Sequence, residues 1–149
     1  MVIYSLKKIY SKAERYYNIA LEIYLNHTDT SNYLYQRWII NNNLGALYMK
    51  LKKYQKAYIN MAISKNIAQK ICKNEQSYII ALADKNLAAS LMKLRRYSEA
   101  LPLTETALDK FVILYQNYSN NLYRLRCKET VEQLFGILLK TGHFFKACS

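Results

Sequence analysis

Proline occurs once in this chain, at Pro102, and glycine only three times in 149 residues. Folds rich in loops or sheets need those residues at their turns, so a helical fold is expected. The three cysteines, Cys72, Cys127 and Cys148, are odd in number, far apart and without paired spacing, which argues against a disulfide framework. His27 and His143 have no cysteine or carboxylate at ligand spacing, so no metal site is expected. The ten acidic residues are scattered singly. There is no glycine-rich phosphate loop and no nucleophile elbow. The expectation is a protein that is not an enzyme and carries no cofactor.

Long apolar runs are missing too. Apolar residues make up 52% of the chain, yet no uninterrupted run exceeds a few residues. A membrane-spanning helix needs roughly 20. The opening MVIYSLKKIY has no apolar core of signal-peptide length, and a cytoplasmic location is expected. Negative charge is absent over one long window, from Asp29 to Glu75. Arg37, Lys50, Lys52, Lys53, Lys56, Lys65, Lys70 and Lys73 fall inside it, and the whole chain is at +12. Such a window suits an anionic partner, an acidic peptide segment first and RNA or another polyanion as the alternative.

What the chain does contain is internal repetition. Leu44 to Ala57, LGALYMKLKKYQKA, has a second copy 43 residues on at Leu87 to Ala100, LAASLMKLRRYSEA. Leu44 matches Leu87, Gly45 matches Ala88, Leu51 matches Leu94, Tyr54 matches Tyr97 and Ala57 matches Ala100. Partial copies flank these, with Tyr4, Leu6, Tyr10 and Ala13 upstream and Leu134, Leu138, Phe144 and Ala147 downstream. Tyr10, Tyr54, Tyr97 and Phe144 each open a second helix in this reading, at intervals of 44, 43 and 47. Self-similarity at such a period marks a stacked repeat array.

Apolar residues at three- and four-residue steps predict helices over 9–25, 32–51, 54–72, 77–94, 97–115 and 122–140, with Gly142 ending the last. The units are a partial repeat at 1–25, repeats at 32–72 and 77–115, and a partial repeat at 122–149. Because the copies do not begin or end at unit boundaries, the chain is expected to be a piece of a longer array. Tyr4, Tyr10 and Tyr17 at one end and Phe144 and Phe145 at the other are then expected to drive self-association.

The strings INNNLGALYMKLKKYQKA, LADKNLAASLMKLRRYSEALPL and NIALEIY resemble the tetratricopeptide repeat, in the extended form found in kinesin light chains. The resemblance covers essentially the whole chain. It implies an all-α fold of antiparallel helix pairs stacked as a right-handed solenoid. It also implies a non-catalytic scaffold whose first helices line a concave groove for a partner peptide. Two stripes then face that groove: Tyr35, Ile39, Asn42, Ala46 and Met49, and Tyr78, Leu82, Lys85, Ala89 and Met92. Asn43 and Asn86 share one slot, and asparagine is a poor helix former, so a polar task is expected of them. In the resembled family, asparagines here bond the backbone of an extended peptide. Lys50 and Lys93, equivalent to each other, and Lys85 would supply positive rims. The candidate peptide-binding residues are thus Asn42, Asn43, Met49, Lys50, Lys85, Asn86, Met92 and Lys93.

Overall fold

The computed structural model describes residues 2–26, 31–73 and 77–142, and these form six α-helices with no strand among the described residues. They are α1 (Val2–Leu25), α2 (Ser31–Lys50), α3 (Tyr54–Ile71), α4 (Tyr78–Lys93), α5 (Tyr97–Tyr118) and α6 (Asn121–Thr141). The chain divides into two compact units, Met1–Ile71 and Cys72–Ser149. In the first, α2 packs between α1 and α3; in the second, α5 packs on both α4 and α6.

Each unit contains one hairpin of the repeat, and the two turns are built alike. After α2 the Lys53 amide donates to the Tyr48 carbonyl at 2.8 Å and the Lys52 amide to Met49 at 3.1 Å. After α4 the Arg96 amide donates to Leu91 at 2.9 Å and the Arg95 amide to Met92 at 3.0 Å. This crossed pair satisfies carbonyls left open at a helix end, and it needs a left-handed residue at its centre. Lys52 (φ 57°) and Arg95 (φ 59°) take that conformation although neither is glycine. The next helix begins two residues later, at Tyr54 or Tyr97, and Ala57 and Ala100 donate back to Lys53 and Arg96.

Close helix approach explains the small residues. Ala57, Ala88 and Ala100 are fully buried. A Cβ on Gly45 would stand 2.7 Å from the Met61 Cγ and 3.5 Å from the Ala57 carbonyl oxygen, so α2 and α3 touch almost backbone to backbone there. In the first unit Ile40, Leu44, Tyr48 and Ala57 form the core, and Tyr17, Ala20, Leu21 and Tyr24 of α1 close over it. In the second, Ala81, Ala107, Phe111 and Leu114 are the core, closed by Tyr123 and Cys127 of α6. Burying Phe111 completely stabilises by about 2–3 kcal/mol. Burial also pushes the Cys127 thiol up.

Two expectations change. Tyr10 does not open a helix: α1 runs unbroken from Val2, through the Lys7-Lys8 step where the repeat reading puts a turn. A left-handed lysine costs energy, which hairpin packing offsets at Lys52. The loop expected at 116–121 shrinks to Ser119 and Asn120, because α5 continues to Tyr118. Ser119 is left-handed (φ 46°), and the Asn120 side-chain oxygen accepts from the Leu122 amide at 2.7 Å, capping α6. Ser77 caps α4 in the same way, accepting from Ile79 at 3.3 Å. Gly142 ends α6 in the left-handed conformation, as its sequence position predicts. Phe144 and the rest of 143–149 lie outside the described residues.

Candidate functional site

Half of the eight candidates belong to each unit. In the first, Asn42 and Asn43 are half-buried along α2, Met49 is half-buried against the core, and Lys50 is exposed at the helix end. No acidic residue occurs in α2 or α3, so this hairpin is purely cationic. Its positive end is met by α1. The Tyr48 hydroxyl donates to the Glu14 carboxylate at 2.9 Å, and the Lys53 ammonium stands 3.6 Å from the same group. Lys53 and Lys56 also approach the Tyr48 ring at 5.9 and 5.5 Å. Burial, and then the Glu14 carboxylate, push the Tyr48 phenol above its ordinary value.

In the second unit the candidates are more deeply committed. Lys85 is bound to Glu129 of α6 at 2.7 Å, with only 14% of its side chain exposed. Glu129 also takes the Arg126 guanidinium at 2.9 Å, and Arg126 donates to the Tyr78 hydroxyl at 3.2 Å. The Gln133 amide donates to the Lys85 carbonyl at 3.2 Å and to Thr104 at 3.1 Å, joining α6 to α4 and α5. Partial burial works against charge on Glu129, but Lys85 and Arg126 hold it below the usual carboxylate range. Burial likewise opposes the Arg126 charge, while Tyr78 and Glu129 more than offset it. Met92 is half-buried, its methyl 3.5 Å from where a Cβ on Gly136 would stand, so it packs on α6. Asn86 is half-buried and Lys93 exposed. Asn42, Asn86 and Lys93 each take part in further interactions within the protein.

Lys85 therefore serves the α4–α6 contact, and Met49 and Met92 serve packing. The residues left open to solvent are Lys50 and Lys93, with Asn43 and Asn86 half-covered beside them.

A slot that is polar and buried in both copies lies two residues before the one singled out by sequence. Asn41 and Asp84, also one repeat period apart, are each 2% exposed. Asn41 donates to the Arg37 carbonyl at 2.8 Å, and Asp84 accepts from Lys110 at 2.9 Å. A polar residue in one slot of both copies, three residues before the buried Leu44 and Leu87, was the available signal. Of the residues expected to drive self-association, Tyr10 and Tyr17 are not exposed. Tyr17 packs into the core and Tyr10 is half-buried, whereas Leu6, Ile9, Tyr16, Ile19, Ile23 and Leu25 are exposed apolar residues of α1. The Tyr4 side chain, Phe144 and Phe145 lie outside the described residues.

No group of metal-ligating side chains occurs among the described residues. No helix of the described residues is long and apolar enough to cross a membrane. Helices in consecutive packed pairs, with one turn recurring 43 residues on, have the architecture of a helical repeat. No protein-family model matches the chain, and no curated protein matches it.

Proposed function

We propose that the chain is a non-catalytic interaction scaffold of the tetratricopeptide kind, with extended repeats like those of kinesin light chains. It holds a peptide segment of a partner protein, each of its two complete copies presenting its own set of equivalent residues. The observation that carries this reading is the recurrence of one hairpin, turn geometry included, with Asn43 and Lys50 in one copy and Asn86 and Lys93 in the other. Asparagine offers one donor and one acceptor to a peptide backbone, and an exposed lysine beside it favours an acidic segment. The compartment proposed is the cytoplasm, where the free thiols of Cys72 and Cys127 would persist.

The test is a salt titration of binding to an array of short acidic peptides. Asn43→Ala with Asn86→Ala should cost about 1 kcal/mol or more per site, nearly independent of salt. Lys50→Glu and Lys93→Glu should weaken binding in a way that fades at high salt. Lys85→Glu is a poor probe, because it breaks the ion pair with Glu129. Full affinity in the double asparagine variant would end this reading. Tight RNA binding with a steep salt slope and no asparagine dependence would favour nucleic acid instead.

A further inference from the structure

The first turns of α1 overhang the end of α2. Glu14 is the α1 residue level with Tyr48 and Lys53. Leu6, Lys7 and Tyr10, one to two turns earlier, therefore stand beside the α2–α3 turn. Together with Lys50, Leu51 and Lys52 they line a cleft of about 390 Å³. Its floor is apolar: Leu6 is 43% exposed, and Tyr10 and Leu51 are half-buried. Its rim is three exposed lysines, Lys7, Lys50 and Lys52, and no carboxylate lines it. Lys7 is shared with a second cleft along α1 of about 650 Å³, where Lys8, Lys12 and Arg15 add three more cations and again no carboxylate.

We propose that this corner docks an acidic peptide segment of a partner protein, with one aliphatic anchor side chain seated on Leu6, Tyr10 and Leu51. The volume lies within the range of small-ligand pockets, and an apolar floor beneath a few charged groups is their usual lining. The anchor supplies affinity by burial, while the flanking carboxylates meet Lys7, Lys50 and Lys52 and set orientation and association rate. A nucleic acid fits less well. Single strands bind by stacking bases on aromatic faces, and two of the three floor residues are leucines. A second copy of the chain fits poorly as well, since at +12 it brings like charge to a cationic rim. The open face of α6 itself offers Arg124 and Lys128. Only Lys50 is shared with the residues proposed above for peptide backbone binding, so the corner stands if that reading fails.

The probe is a fluorescein-labelled peptide, Asp-Glu-Asp-Leu-Glu-Asp, compared with its serine-for-leucine version and with oligoadenylate of equal charge. The leucine peptide should bind about tenfold more tightly than the serine one, the worth of one buried aliphatic side chain. Amide shifts on titration of the ¹⁵N-labelled protein should centre on Leu6, Tyr10 and Leu51. Lys52→Gly removes a rim cation at a position whose φ of 57° suits glycine, so the turn is kept. It should weaken the leucine peptide several-fold with the melting temperature unchanged or raised. Equal affinity for the two peptides, tighter binding of oligoadenylate, or shifts spread over lysines elsewhere would each overturn the proposal. So would unchanged affinity in Lys52→Gly.

Discussion

Gly45→Ala is a change that helix propensity favours by about 1 kcal/mol, yet it should destabilise this protein. The added Cβ would stand 2.7 Å from the Met61 Cγ and 3.2 Å from its terminal methyl. Ordinary contact needs several tenths of an ångström more, and Met61 is 4% exposed with little room to retreat. Overpacking of this kind costs about 1–3 kcal/mol, so the net effect is a loss of about 1 kcal/mol. The second copy of the repeat shows the alternative solution. Its equivalent slots hold Ala88 and Thr104, a larger residue on one helix and a smaller one on the other, both fully buried. The Thr104 hydroxyl donates to the Ala100 carbonyl at 2.9 Å, and Ala57 offers the matching carbonyl in the first copy. Met61→Thr alone should cost about 2–4 kcal/mol through lost burial and the cavity left behind. Adding Gly45→Ala to it should then recover about 1 kcal/mol, since the clash is gone and the helix gains. The sign of the glycine substitution thus reverses with its partner, a coupling of about 2 kcal/mol. Urea unfolding followed by the fluorescence of Trp38, the only tryptophan and buried in this unit, reads the cycle directly. Stabilisation by Gly45→Ala in both backgrounds would show that helix approach is not limiting. Equal destabilisation in both would move the clash from Met61 to the Ala57 carbonyl, 3.5 Å away.

A second exchange between copies concerns charge: Asp84 and Lys110 form an ion pair where the first copy has Asn41 and Ile67. Lys110→Ile alone should cost about 3 kcal/mol, whereas Asp84→Asn with Lys110→Ile should be neutral or stabilising in thermal melts, because removing a buried pair together strands no charge. Lys52→Gly and Arg95→Gly should each raise stability in urea titrations by about 0.5–1 kcal/mol, since both residues occupy a left-handed conformation that glycine adopts freely; a loss would show that their side chains hold the turn. Glu129 has its carboxyl held below the usual range, so its contribution is complete above the unfolded value near 4.5 and is lost as pH falls through the lower folded value. Glu129→Gln should therefore destabilise the second unit by about 1 kcal/mol at neutral pH, allowing for solvent at its one-third exposed side chain, and should flatten the acid limb of its stability curve. An unchanged acid limb would refute that assignment.

The helices and their order were legible because burial imposes one period on the chain, and Leu44, Tyr54 and Ala57 recur as Leu87, Tyr97 and Ala100. The hairpin turns were legible for the same reason, although their left-handed residues are a lysine and an arginine. The partners of polar side chains were not. A repeat offset says which residues occupy the same slot; it is silent on what faces that slot. Lys85 and Asn42 are equivalent, yet nothing in that equivalence says that Lys85 meets a carboxylate, Glu129, 44 residues away on α6. Asn41 and Asp84 are equivalent and equally buried, yet one bonds its own helix and the other an ammonium on α5. Each such difference turns on a single facing residue, Ile67 against Lys110 or Met61 against Thr104, and composition cannot distinguish the outcomes. The same reasoning bears on the candidate site. Lys53, Lys85 and Lys110 are bound to carboxylates, so part of the positive charge serves the fold and not a partner. In the first unit Lys7, Lys50 and Lys52 gather where α1 overhangs the α2–α3 turn, above a floor of Leu6, Tyr10 and Leu51. Charge on its own would attract any polyanion. Charge around an aliphatic floor selects one that brings an apolar side chain with it, and that is the property of a peptide.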